Sequence, residues 1–126
     1  MSTRATYSFG SKCVYIHHDG YLSGGAMYFN NAIKYQKEHG GSIYDCFMAA
    51  NKGAEKTVSH EHHGDTEFQY RVTEGETFED STVTVHNIRF VECFHPNGKS
   101  SYHRQKTGVF IGSIRSLIEK HPEHCK

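Results

Sequence analysis

The chain has 126 residues, enough for one domain that buries roughly two thirds of its unfolded surface without a metal or a disulfide. Fourteen Lys and Arg balance fourteen Asp and Glu, so the formal net charge is zero with histidine neutral. That balance argues against general duplex-DNA binding and against attachment to an anionic membrane, both of which draw on excess positive charge. Eleven histidines make the balance conditional, because mild acidification below their ordinary pKa near ~6.5 turns the protein cationic. Cys13, Cys46, Cys93 and Cys125 show no Cys-x-x-Cys spacing, and no apolar run resembles a signal peptide or a membrane span. The expectation is a cytoplasmic protein with reduced thiols, Cys125 lying exposed.

In chain order, Ala5, Tyr7 and Phe9 alternate with polar residues and predict a strand. Gly10-Ser11-Lys12 turns it into a second strand from Cys13 to His18. Ala26, Met27, Phe29, Ala32 and Ile33 form a helical apolar face that begins after Ser23 and stops at Gly40-Gly41. Ser42 with Asp45 resembles a capping box for a shorter helix carrying Ile43, Cys46, Phe47 and Ala50. Residues 51–66 are polar and aperiodic and read as a long surface loop.

Phe68, Tyr70 and Val72 alternate as a half-buried strand, and Val83 and Val85 open another. Ile88, Phe90 and Phe94 fall on the opposite parity, which predicts a bulge or bend near His86-Asn87 that could re-aim His86. Pro96-Asn97-Gly98 is a turn, a return strand runs from Ser101 towards Ile111, and Ser113 caps a last helix with Ile114, Leu117 and Ile118. The whole chain, residues 1–126, reads as a single α+β domain of order ββααβββα, an antiparallel sheet with helices on one face. The other face would remain open to a ligand or partner, and some of the eight tyrosines could stack on a base there.

His17-His18-Asp19-Gly20-Tyr21-Leu22-Ser23-Gly24-Gly25, between the second strand and the first helix, concentrates two imidazoles, a carboxylate and three glycines. A strand end delivering histidines, glycines permitting close backbone approach and a helix start aiming N–H groups outward together suit an anion, most simply a phosphate-bearing small molecule. The candidate ligand-binding residues are Arg4, His17, Asp19, Tyr21, Gly24 and Gly25. In an enzyme, His17 or His18 would be the general acid or base, and strand alternation lets only one of them enter a given pocket. The competing reading is structural: a strand-end histidine, an Asp-Gly turn and a serine cap.

His60-Glu61-His62-His63-Gly64-Asp65 has metal-ligand chemistry but matches neither His-x-His-x-Asp-His nor His-Glu-x-x-His. No metal or other cofactor is therefore expected, a site of His60, His62 and Asp65 being the alternative. No Gly-x-Ser-x-Gly elbow, Walker loop, dinucleotide fingerprint or paired His-x-Thr/Ser motif occurs.

Ser2-Thr3-Arg4 at the start, followed by the His17-His18-Asp19-Gly20-Tyr21 segment before a helix, resembles small phage and prophage proteins with a Ser-Thr-Arg start and a His-x-Asp-Gly-Tyr segment. The named family it is most similar to is the Thoeris anti-defence sponge proteins. The resemblance covers about the first quarter of the chain, and Leu22-Ser23 replace the Pro and acidic residue common after that tyrosine. It implies a homo-oligomer that sequesters cyclic ADP-ribose or another cyclic nucleotide without cleaving it, silencing an immune signal in the cytoplasm of an infected bacterium. Two alternatives stand beside sequestration, so whether the protein is an enzyme is open at this level. One is a metal-independent, histidine-assisted phosphodiesterase acting on such a signal; the other is an inhibitor that blocks a host defence complex such as a CRISPR effector.

Overall fold

The computed structural model describes residues 3–60 and 66–125. The fold is α+β, with one six-stranded sheet carrying three helices on one face. The elements are β1 (Ala5–Phe9), β2 (Lys12–Ile16), α1 (Leu22–His39), α2 (Ile43–Ala50), β3 (Glu55–Thr57), β4 (Phe68–Thr73), β5 (Thr82–Phe94), β6 (Ser100–Ser113) and α3 (Ile114–Glu119), with a final 3₁₀ turn at Pro122–His124. Strands lie in the order β3-β2-β1-β4-β5-β6.

Two features depart from the expected antiparallel ββααβββα. The polar stretch after α2 contains β3, a three-residue edge strand paired with β2, and β1 and β4 run parallel. The sheet is therefore mixed. Turn residues announce hairpins between consecutive strands, whereas the β1–β4 pair joins strands about sixty residues apart, for which no local signal exists. The pair is extended at its start, where the Arg4 carbonyl accepts from the N–H groups of Glu67 and Phe68.

Alternation assigns the two faces. Ala5, Tyr7, Val14, Ile16, Tyr70, Val72, Val83 and Val85 point to the helices and pack with Ala26, Phe29, Ile33, Phe47, Ile114 and Leu117. Four aromatics form the centre: the ring of Tyr7 stacks on Tyr70 at 4.4 Å between centroids and meets Phe47 at 4.8 Å and Phe29 at 5.8 Å. Ser42 and Ser113 cap α2 and α3 as expected, accepting from the N–H of Asp45 and Ser116. Asn51 ties the end of α2 to α1 by donating to the carbonyls of Phe47 and Tyr28. Cys46 is buried, and Cys125, expected to be exposed, packs half-buried against the core.

The parity change in β5 needs no bulge in that strand. Ile88 is buried on the face away from the helices, and the register shift between Val85 and His86 places the extra residue in β6, at Val109, because Val85 pairs with Phe110 and His86 with Gly108.

The start of α1 also differs from expectation. Ser23 lies inside the helix, and Tyr21 occupies the N-cap position without a side-chain cap. The chain reaches it through Asp19 in the left-handed region, at φ 56°. Gly24 and Gly25 are required by packing rather than by a ligand: a Cβ on Gly24 would collide with the Asp19 carbonyl, and one on Gly25 would lie 2.6 Å from the Tyr70 ring. Gly25→Ala is expected to destabilise the fold by about 2 kcal/mol and Gly24→Ala, whose clash is with backbone, by about 3 kcal/mol. Urea unfolding of both variants against wild type measures this, and Gly53→Ala, which meets nothing within 4 Å, is the near-neutral control.

Candidate functional site

The expected site residues separate in space. Arg4 precedes β1 and shares the parity of Thr6, so it belongs to the face away from the helices. His17, just past β2, is exposed at the sheet edge; its Nε2 lies 3.1 Å from the Glu55 carboxylate and its ring packs edge-on against Tyr15. His18 is exposed beside it, and its carbonyl accepts the Tyr28 hydroxyl. Asp19, Tyr21, Gly24 and Gly25 cluster at the start of α1, where the two glycines are covered by the protein itself.

One open groove of about 490 Å³ does form at this helix start. It is lined by Tyr21, Leu22, Ser23, Phe68, Asn87, Arg89, Val109 and His121. The first backbone bond of α1 runs from the Gly25 N–H to the Tyr21 carbonyl, so the preceding N–H groups have no intrahelical acceptor; Leu22 and Ser23, which carry two of them, are among the lining residues. No acidic residue occupies the first turn and no side chain caps it, which leaves the positive end of the helix dipole uncompensated locally. Arg89 stands on β5 with its Nε–H donating to Asn87 Oδ1 (2.9 Å), which orients the guanidinium. The Tyr21 ring is 56% exposed and meets Phe68 edge-on at 5.8 Å.

Of the expected set, only Tyr21 lines this groove, whereas Asn87, Arg89 and His121 were not anticipated. A signal for two of them was present: Val83, Val85, Asn87 and Arg89 continue one alternation, so polar side chains stand where that face calls for apolar ones. A bulge at His86-Asn87 would break that alternation, so the parity change of Ile88 masks it. His121 follows α3 and offered no such cue.

The opposite face, expected to be open, is covered at its centre. Thr6, Gln69 and Tyr15 of that face are buried, as are His60 and Thr66, and a 2.6 Å hydrogen bond joins His60 Nδ1 to Thr6 Oγ1. His62 and Asp65 of the alternative metal set lie outside the described residues, and among the described residues no group of three or more potential ligands comes together. Of the tyrosines, Tyr7 and Tyr70 lie in the core on the helix side, and Tyr15, which is on this face, is fully covered. No helix among the described residues is long and apolar enough to cross a membrane.

Comparison of the chain with protein-family models, with curated proteins and with solved structures returns no match.

His86 lies on the covered face opposite Gln69, and its Nδ1 is buried without a hydrogen-bond partner among the described residues. Burial first, then the positive charges of Lys106 and Arg71, hold its pKa below the ordinary histidine value. Below that ordinary value the unfolded chain takes up a proton at His86 that the folded chain refuses, so this residue makes stability fall as pH drops, until the folded form titrates as well. His86→Asn is expected to flatten that part of the profile. Denaturant midpoints of both proteins from neutral pH to pH 5 check it, a constant difference between them being the contrary result.

Proposed function

We propose that the protein binds and sequesters a phosphate-bearing small molecule with a planar base, a cyclic ADP-ribose or another cyclic nucleotide, in the groove at the start of α1. The observation that carries this reading is the meeting of an uncapped helix N-terminus with an oriented arginine and an exposed tyrosine in one groove. The Leu22 and Ser23 N–H groups and the Arg89 guanidinium supply anion donors, and Tyr21 supplies a stacking surface. The N-terminal resemblance to phage counter-defence proteins gives the ligand class and the setting, the cytoplasm of an infected bacterium.

Sequestration is favoured over cleavage by the position of the histidines. His17 is directed to Glu55 at the sheet edge rather than to the groove. His121 does line the groove, but no carboxylate orients it among the described residues. A general base needs both reach and orientation.

Calorimetric titration with cyclic ADP-ribose, ADP-ribose and cyclic dinucleotides tests this. Binding of a cyclic species is expected, with Arg89→Ala weakening affinity about tenfold or more through loss of a charge-assisted hydrogen bond. Tyr21→Ala should lower it by a comparable factor through lost stacking, while His17→Ala leaves it unchanged. Ligand should be recovered intact after denaturation, and chelator should have no effect. Absence of heat at millimolar ligand, or a loss caused by His17→Ala and not by Arg89→Ala, refutes the groove as the site.

A further inference from the structure

Beyond Ile88, whose N–H still donates to the Glu67 carbonyl, β5 has left β4 behind and continues with β6 alone as a two-stranded arm that closes at Pro96-Asn97-Gly98. A two-stranded ribbon is marginal in water unless one of its faces is packed. This one presents aromatic rings to solvent: Phe90 is 60% exposed, Tyr102 68% and Phe94 80%. The register pairs Phe90 with Arg104, Glu92 with Tyr102 and Phe94 with Ser100, so the three rings stand on one face. Tyr102 lies level with Glu92, midway between Phe90 and Phe94, and the rings therefore step along the arm by about 6.8 Å, two residues of strand rise.

The arm is basic in a chain of zero net charge. Residues 88–107 hold Arg89, Lys99, Arg104 and Lys106 against Glu92 alone. Alternation puts Arg104 and Lys106 on the ring face, both on the outer strand β6, and Arg89 on the opposite face, toward the groove at the start of α1. Glu92 shares the ring face but stands on the inner strand β5, across from Tyr102 and diagonal to Arg104. No ion pair joins it to Arg104, and neither Arg104 nor Lys99 has an acidic partner among the described residues. The positive potential continues onto the sheet, where Lys106, level with Ile88, and Arg71 both act on His86.

We infer that the ring face of the β5–β6 arm binds single-stranded nucleic acid, bases lying on Phe90, Tyr102 and Phe94 and phosphates following Arg104 and Lys106 along β6. Stacking on an exposed aromatic ring accepts any base, and cations beside the rings hold the backbone. The step of about 6.8 Å is twice the roughly 3.4 Å base rise of a helical strand, so the rings suit a strand drawn out flat and not one stacked in a duplex. A duplex also offers no free base face along its length, in keeping with the balanced charge of the whole chain. A protein partner fits less well. Each ring has a charged or polar residue directly across the ladder, which divides the face into separate platforms, whereas the core of a protein interface is depleted of charge. The stacking chemistry is common to RNA and DNA. The site lies on the face of β5 opposite Arg89 and does not depend on what the groove binds.

Fluorescence anisotropy of the full chain with labelled oligo-U and oligo-dT of about ten nucleotides, a length that one stacking platform spans, tests the inference. Single strands are expected to bind, and a duplex of the same length to bind about tenfold more weakly or less. Phe90→Ala, Tyr102→Ala and Phe94→Ala should each weaken binding about fivefold or more, with unchanged circular dichroism because the rings are exposed. Affinity should fall with salt at a log–log slope of about −1.4, and Arg104→Gln, which touches no apolar group, should remove about half of that slope. Glu92→Gln should tighten binding about twofold by removing a like charge beside the phosphates. A preference between oligo-U and oligo-dT supports the inference and assigns the sugar. Absence of binding to both at high micromolar protein overturns it, as does a duplex bound equally well. Ring variants that bind like wild type while Arg104→Gln does not would leave only a nonspecific electrostatic contact and overturn it too. Displacement of the oligonucleotide by excess cyclic ADP-ribose would put the strand in the groove instead, so this inference and the groove reading fail separately.

Discussion

The Tyr70 hydroxyl is the contact on which the geometry around α1 depends. It is buried on the central strand β4, and its single proton is shared between the carbonyls of Gly20 (2.7 Å) and Tyr21 (2.9 Å). A buried phenol requires an acceptor, and two turn carbonyls beside an apolar core require a donor. Burial pushes the Tyr70 pKa far above the ordinary phenol range, so it remains a donor wherever the protein is folded. The same ring stacks on Tyr7 and fills the space that a side chain on Gly25 would need. Core, turn and helix start are thus one unit. The exposed position of Tyr21 at the helix start follows from packing in the centre of the sheet rather than from the turn sequence alone.

A second constraint is topological. Because β4 returns alongside β1 and parallel to it, the chain leaving β3 at one sheet edge has to reach the start of β4 at the centre, and Ser59, His60 and Thr66 lie on that route. His60 meets Thr6 on the face away from the helices, where Thr6, Gln69 and His60 are buried polar groups. This closes the centre of that sheet face to a ligand. The Gly-rich segment is reinterpreted in the same way: glycine is required there by the approach of α1 to Asp19 and Tyr70.

Legibility in the sequence followed the range of the interaction responsible. The β1–β2 hairpin, the Ser42 and Ser113 caps, the Gly40 helix stop and the Pro96-Asn97-Gly98 turn were readable because each rests on residues within a few positions of one another. The short β3 was not, since Glu55-Lys56-Thr57 has no apolar alternation and is a strand only because the edge of β2 offers it partners. The site was partly legible. Tyr21 and the helix start came from the local motif, while Asn87 and Arg89 were hidden by a bulge assigned to the wrong strand, and His121 comes from a distant turn that the fold brings alongside.

By itself the sequence determined what alternation and short-range hydrogen bonding dictate: an α+β chain, the central helices, the inward faces of β1, β2, β4 and β5, and a helix start that follows His17-His18-Asp19. The tertiary structure alone decided the parallel pairing of β1 with β4, the burial of His60, the separation of Arg4 and His17 from the helix start, and the projection of Phe90, Phe94 and Tyr102 on an arm beyond the sheet. The physical reason is loop closure. Bringing together segments some sixty residues apart is repaid only by the sum of many contacts made in the complete core, and no short stretch of residues carries that sum.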